Sequence, residues 1–180
     1  SYFGQRKFST GIDKKGFKRL FLNNKPYFHN GLLDQGYWCD GLYTAPSDEA
    51  LIYDIMLAKE LGYNMLRKHI KIEPYRWYYH CDRLGMIVWQ DMVNGGSRYN
   101  IFRVGILPFI GVKQDDTQYN KLFRKDVESR KEYIKDLTET VESLYNTVSV
   151  GVWVIFNEAW GQFDSIGITR QAKKLDPTRI

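Results

Sequence analysis

Two residues at the end of an apolar run pose the chemical question. In "GVWVIFNEAW", residues 151–160, the run Trp153 to Phe156 leads straight into Asn157 and Glu158. A carboxylate that directly follows a buried strand costs several kcal/mol to desolvate unless it is hydrogen-bonded or faces a cavity. Facing a cavity, it could act as a general acid near neutral pH. The competing reading is a structural ion pair, for which Arg67 is the candidate partner. Asn157 could hold a substrate hydroxyl or cap a turn. Trp160 could stack on the apolar face of a sugar ring or lie in the core. Asp91 ends a second apolar run, "MIVWQDM", where it could bind substrate or orient Arg67. Two carboxylates can hydrolyse a glycoside, their separation fixing the stereochemistry. Arg67 suits a bidentate clamp on a carboxylate. His69 could titrate near neutral pH, although a lone histidine on a strand is more often a satisfied hydrogen-bonder. Asp91, His69 and Glu158 have no local ligand spacing, so no metal is expected.

The elements that must carry these residues alternate. Residues 2–28 read as short strands, with turns at Asp13–Gly16 and at "NNK", and look like a lead-in hairpin rather than a core unit. From residue 29 a strand–helix rhythm begins. "YFHNGLL" is a strand. "SDEALIYDIMLAKELG" is a helix capped by Ser47, with Leu51, Ile55 and Ala58 on one face and Gly62 as its stop. "YNMLRKHI" is a second strand. "PYRWYYHCDRLG" is a helix opened by Pro74 and stopped by Gly85. "MIVWQDM" is the third strand. An irregular stretch, 93–116, precedes a long helix over about 118–145, whose stripe includes Phe123, Val127, Ile134, Leu137, Val141 and Leu144. "VSVGVWVIF" is the fourth strand, and a last helix begins near Asp164.

Four strand–helix units with apolar strands imply a parallel sheet buried on both faces. An open nucleotide-binding sheet would show a glycine-rich turn after its first strand. Here "DQGYWCDGLYTAPS" follows instead, with no such motif, and no nucleotide cofactor is expected. Polar residues crowd the strand C-termini: Asp34-Gln35, Arg67 to His69, Gln90-Asp91 and Asn157-Glu158. That edge is where a (β/α)8 barrel gathers its chemistry. The expected fold is α/β: a partial (β/α)8 barrel of about four βα units, over 29–180, preceded by a hairpin or linker over 1–28.

Composition narrows the partners. The chain has 180 residues, 43% hydrophobic and 16% aromatic, which is globular rather than disordered. The net charge of +5 is concentrated at one end: residues 1–30 hold seven Lys and Arg side chains against Asp13 alone. No dense basic run is interleaved with stacking aromatics, so a solvated face is preferred to nucleic-acid binding. No apolar run is long enough to span a membrane. The two cysteines, Cys39 and Cys81, make neither a disulfide framework nor a zinc pattern. The chain opens without Met, at "SYFGQRKFST", which reads as a cut end and leaves the compartment open.

The motifs together resemble glycoside hydrolase family 2. "LGYNMLRKHIKIEPYRWYYHCDRLGMIVWQDM" is similar to that family's second and third βα units, with an Asn-x-x-Arg strand, a helix ending Cys-Asp-x-x-Gly, and an apolar strand ending in an acid. "GVWVIFNEAWGQFD" resembles its fourth strand. "YFGQRKFS…LFLNNKPYFHNG" resembles its passage from an immunoglobulin-like domain into the barrel. The resemblance implies a retaining, exo-acting glycosidase in which Glu158 is the general acid/base. It implies that Asn157 meets the sugar's 2-hydroxyl, that Arg67 lies near the nucleophile, and that Asp91 ends the third strand. The family's nucleophile, a glutamate ending the seventh strand, would fall beyond Ile180, so the 180-residue chain is expected to be inactive alone. Arg67-Lys68-His69-Ile70 departs from the Arg-x-Ser-His of β-galactosidases and β-glucuronidases. Trp89-Gln90-Asp91 is nearer to mannosidase-like members, which sets aside the galactosidase-type magnesium site.

Two other readings remain at this level. One is a non-catalytic carbohydrate-binding or interaction scaffold. It would form homo-oligomers through the unpaired edges of the first and fourth barrel strands. The other is an aldolase-like barrel using Lys68 or Lys71 for Schiff-base chemistry.

Overall fold

The computed structural model describes residues 2–180. The first layer is a three-stranded antiparallel sheet, β1 (Phe8–Ile12), β2 (Lys18–Leu22) and β3 (Lys25–Pro26). Asp13 shapes the β1–β2 turn by accepting from the backbone N–H groups of Lys15 and Phe17. Asn23 and Asn24 both take positive φ, 50° and 64°, between β2 and β3. Asparagine tolerates that conformation better than other non-glycine residues, which suits it to a tight hairpin.

The second layer is a four-stranded parallel sheet in sequential order, β4 (Gly31–Asp34), β5 (Met65–Lys68), β6 (Ile87–Asp91) and β7 (Val150–Val154). Four helices connect and follow these strands: α1 (Asp48–Glu60), α2 (Tyr75–Leu84), then, after a short helical passage α3 (Leu107–Phe109), α4 (Val127–Leu144) and α5 (Ser165–Leu175). One core cluster joins Leu66, Val88, Val150 and Trp153 of the sheet to the buried stripes of α1, α2, α4 and α5. Alternate strand residues, Met65 and Ile87, point to the other face and pack with Phe8 of β1. All the main helices therefore lie on one face, and the hairpin covers the start of the other. A doubly wound sheet would carry helices on both faces; sequential strands with one-sided helices make a barrel segment. Phe8 packs against the sheet because Gly151 makes room: a Cβ there would lie 2.9 Å from the Phe8 ring. The hairpin thus contributes to the core, beyond the lead-in role its sequence suggests.

Sequence and structure agree closely on α1 and α2. Ser47 accepts from Ala50 N–H, and Leu51, Ile55 and Ala58 are buried. Gly85 closes α2 at φ 68°, and Cys81 is buried in the middle of it, its thiol pKa pushed up by desolvation. The long helix differs. It starts at Val127, not near 118, with Asp126 as its cap accepting from Glu128 N–H. Residues 116–123 are turns instead, nucleated by Asp115, which accepts from the backbone and hydroxyl of Thr117. Leu137, Val141 and Leu144 form the expected stripe with Tyr133, while Val127 is exposed. The irregular stretch also contains a π-helical turn, Phe102–Ile106.

The sheet edges are not equivalent. The edge of β4 is free of strand partners among the described residues. Past α5 the chain returns to β7: Ile180 N–H donates to Gly151 O at 3.1 Å, and Trp153 N–H donates to Ile180 O at 2.9 Å. A further parallel strand is thus begun, and the fourth barrel strand is not the bare edge expected from sequence. Arg179 fixes this return. It is 2% exposed and donates to Val150 O, Tyr145 O and Thr147 O while pairing with Asp176.

Asp176 is correspondingly perturbed. Burial raises its pKa, but hydrogen bonds from Thr178, Arg179 and Trp153 outweigh that and bring it down to about 2. A depressed carboxylate stabilises the fold above its unfolded pKa of about 3.9 and stops doing so as pH falls through the folded value. Urea unfolding should therefore show a loss of stability between about pH 4 and pH 2 that is absent in Asp176→Ala. At pH 7 that variant should be less stable by about 3–5 kcal/mol, because Arg179 is left buried and unpaired. A change below about 1 kcal/mol would contradict this role for the pair.

Candidate active site

The C-terminal ends of β5, β6 and β7 are joined by one guanidinium. Arg67 lies on the barrel-facing side of β5, in register with Leu33 of β4 and Trp89 of β6. Its Nε donates to Asp91 Oδ1 and its Nη2 to Asp91 Oδ2, both at 2.9 Å. The same Nη2 donates to Asn157 Oδ1 at 2.8 Å. The Asp91 side chain is 1% exposed and that of Arg67 30%. The fork matches the carboxylate and holds both of its oxygens. With Oδ1 turned to Arg67, the Asn157 amide group presents its NH2 as the free donor.

Glu158 follows at φ 53°, exposed, with no hydrogen bond or ion pair from its side chain among the described residues. The ion pair with Arg67 weighed from sequence does not form; Arg67 is occupied by Asp91 and Asn157. His69 is half-buried at the level above Arg67, its Nδ1 3.1 Å from Gln35 Nε2. Trp160 is half-buried, edge-on to Tyr99 at 5.5 Å, and its indole N–H is buried without a partner among the described residues. Arg67, Asp91 and Asn157 are thus brought together by direct bonds, Glu158 directly follows Asn157 in sequence, and His69 lies just past the end of β5.

The motif residues around this site divide into scaffold and chemistry. Asn64 accepts from Asn30 N–H and donates to Phe28 O, locking the start of β5 to the start of β4. Asp82 accepts from the N–H groups of Val148 and Ser149, tying α2 to the start of β7. Lys68, the neighbour of Arg67, points the other way. Its Nζ is 2.8 Å from Asp34 and 2.9 Å from Glu73, against the Trp77 ring at 4.3 Å. Lys71 pairs with Glu73 and donates to Gly36 O and Tyr43 O. Both amines are committed to carboxylates in the layer between sheet and helices, which removes the Schiff-base reading. Gln90 is also outward, accepting from the Tyr78 hydroxyl.

Two residues that the sequence reading passed over, Asn94 and Arg124, contact the loop that carries Glu158. Asn94 stands in the irregular stretch, Arg124 where the long helix was expected, and neither lies near residue 158 in sequence. Among the described residues no group of three or more His, Cys, Asp or Glu side chains is placed to hold a metal ion. No helix is long and apolar enough to cross a membrane.

The family model for glycosyl hydrolases family 2, TIM barrel domain, matches residues 14–180. A β-galactosidase of Leuconostoc mesenteroides subsp. mesenteroides is 26% identical over 178 residues, covering 94% of this chain and 15% of that protein. A β-galactosidase of Klebsiella pneumoniae is 27% identical over 173 residues, covering 91% and 15%. Among solved structures, a family 2 β-galacturonidase from Eisenbergiella tayi bound to galacturonate superposes with a TM-score of 0.73 at 19% identity, covering 98% of this chain and 28% of that one. A β-D-glucuronidase of Dictyoglomus thermophilum gives 0.72 at 19% identity, covering 96% and 28%. The chain spans about 15% of the length of the curated relatives it matches.

Removing Arg67 should expose its role. Arg67→Ala leaves a wholly buried carboxylate without its cation, and urea unfolding should show a loss of about 3–5 kcal/mol. A loss under about 1 kcal/mol would mean that the fork is not holding the three strand ends.

Proposed function

The chain belongs to glycosyl hydrolases family 2, and on that premise we propose that it supplies the acid/base half of a retaining, exo-acting β-glycosidase site. The observation that carries this reading is the contrast between two carboxylates at one rim. Asp91 is buried with both oxygens held by Arg67, whereas Glu158 is exposed and uncommitted. A general acid must reach the glycosidic oxygen and exchange protons with water, and only the second carboxylate is free to do so.

In this reading a terminal β-linked sugar lies with its anomeric carbon facing the rim. A nucleophilic glutamate beyond Ile180, ending a later barrel strand, attacks that carbon. The bond to the leaving oxygen breaks as Glu158 transfers its proton to that oxygen, leaving a covalent glycosyl-enzyme and an ionised Glu158. Water then attacks the same carbon, Glu158 takes its proton, and the sugar is released with its original configuration. Asn157 donates its free NH2 to the hydroxyl beside the reacting carbon. Arg67 holds that amide in place, and its charge favours the ionised nucleophile. Asp91 acts on substrate through Arg67. His69 and Trp160 are proposed to line the sugar site. The substrates that the relatives' names give, galactosides, glucuronides and galacturonides, are the first to try. The free edge of β4 is proposed to take the closing strand of the complete barrel; in the chain alone it would be open to a second copy.

The test is made in the full-length enzyme. Glu158→Ala should lower kcat/KM for alkyl β-galactosides or β-glucuronides by about 10²–10⁴-fold, the usual contribution of a general acid. On the 2,4-dinitrophenyl β-glycosides, whose leaving group departs without a proton, added azide should speed turnover of Glu158→Ala and give the β-glycosyl azide, because azide needs no base and attacks the glycosyl-enzyme that water attacks. The 180-residue chain by itself should turn over none of these substrates. An α-glycosyl azide, or turnover by the 180-residue chain that Glu158→Gln abolishes, would contradict the mechanism. Sugar binding unaffected by Glu158 with no turnover in the full-length enzyme would favour the non-catalytic scaffold.

A further inference from the structure

We infer that Asn94 and Arg124 form a clamp that sets the position of the Glu158 carboxylate, so that they are positioning residues for the acid step. This rests on the acid/base reading of Glu158 and identifies what holds that residue in place.

The loop after β7 is held in an unfavourable backbone shape. Glu158 and Ala159 take φ of 53° and 61°, and Gly161 takes φ of 75°. Left-handed backbone at a non-glycine residue is strained and persists only where the surroundings over-determine it. Two such residues in succession place the Glu158 side chain where an extended continuation of β7 would not. Something must pin the loop from outside.

The pins come from two other segments. From the loop after β6, Asn94 Nδ2 donates to Trp160 O at 2.9 Å and to Asn157 O at 3.4 Å, bracketing Glu158 from both sides. From the segment before α4, Arg124 Nε donates to Gly161 O at 2.9 Å. Arg124 Nη2 also donates to Asn94 Oδ1 at 3.3 Å, so the guanidinium orients the amide that holds the loop. Arg124 is 8% exposed. Its Nη1 donates to Ser129 Oγ at 2.7 Å, and its guanidinium lies over the rings of Tyr133 and Phe163, at 5.1 and 5.9 Å. Leu122 O accepts from Gly161 N–H at 2.8 Å, which adds a backbone tie from the same segment. A Cβ at Gly161 would collide with Gly95 O, so the two loops meet at van der Waals contact.

No carboxylate faces Arg124 within ion-pairing distance among the described residues. A buried guanidinium given to backbone and amide oxygens of two loops is a geometric device more than an electrostatic pair. Its consequence is specific. A displaced Glu158 still permits departure of a leaving group that needs no proton, and fails with one that does. A misplacement of about 1 Å at a reacting group can cost about 10²-fold in rate.

The experiment uses the full-length enzyme with methyl and 2,4-dinitrophenyl β-galactosides, and the same pair of β-glucuronides. For Asn94→Ala and Arg124→Lys, kcat/KM on the methyl glycoside should fall by about 10–100-fold, with less than about a threefold change on the dinitrophenyl glycoside. The double variant should lose less than the product of the two single losses, since Arg124 acts partly through Asn94 and partly through its own bond to Gly161 O. Glu158→Gln should show the same dependence on leaving group more strongly. A proportional loss on both substrates in the clamp variants, with Glu158→Gln behaving as stated, would overturn the clamp and leave the acid/base reading standing. No leaving-group dependence in Glu158→Gln would overturn both.

Discussion

A carboxylate with 1% exposure at the end of a buried strand has to be neutralised, and in this barrel segment one guanidinium does it. Arg67 meets Asp91 with a two-pronged fork through Nε and Nη2, and the second N–H of Nη2 goes to Asn157. The ends of β5, β6 and β7 are thereby set relative to one another by three hydrogen bonds from a single planar group. A planar donor with fixed angles transmits orientation as well as charge, which a lysine ammonium would not. The same bonds decide which acid is available for chemistry. Asp91 is committed, Glu158 is not, and the Asn157 amide is turned so that its donor side is the open one.

The alternation of strand side chains separates chemistry from support. Arg67 and Lys68 are adjacent in sequence, yet the pleat sends one into the barrel and the other into the helical layer. On the inner side Arg67 organises the rim. On the outer side Lys68 and Lys71 share Glu73, and Lys68 also holds Asp34, just where the chain leaves β4. Lys71 then fastens the loop after β4 through Gly36 O and Tyr43 O. At the far end of the segment Arg179 and Asp176 play a similar part, bringing Ile180 onto β7. Charges buried in the outer layer thus fix strand ends and loops, while the inner rim keeps only the ionic groups that the proposed chemistry uses.

Much of this was legible in the sequence because the responsible signals are local. Apolar runs interrupted by capped helices identified β4 to β7, α1, α2 and α5, and the absence of a glycine-rich phosphate loop pointed to a barrel. Asn64, Arg67, Asp82, Asp91 and Glu158 stood out as motif members, although only the structure divides them into strand locks and rim residues. What sequence did not reveal depends on contacts between distant segments. The start of α4 was misplaced because residues 118–126 carry helix-compatible side chains. There Asp115 and Asp126 draw backbone N–H groups to themselves, one closing a turn and the other capping the helix. Asn94 and Arg124 gave no signal, since their partners lie 63 to 66 and 37 residues away along the chain. Phe8 looked like part of a linker because its burial requires Gly151 of another strand.

The proposed division of labour makes Asp91 structural, Glu158 the acid/base, and a third carboxylate past Ile180 the nucleophile. Trapping addresses it most directly. Full-length enzyme inactivated with a 2-deoxy-2-fluoro-β-glycosyl fluoride should carry one sugar on a glutamate in a peptide C-terminal to Ile180, with Asp91 and Glu158 unlabelled. Label on Asp91 would mean that the Arg67 fork opens during the reaction, and label on Glu158 would make it the nucleophile; either result contradicts the account.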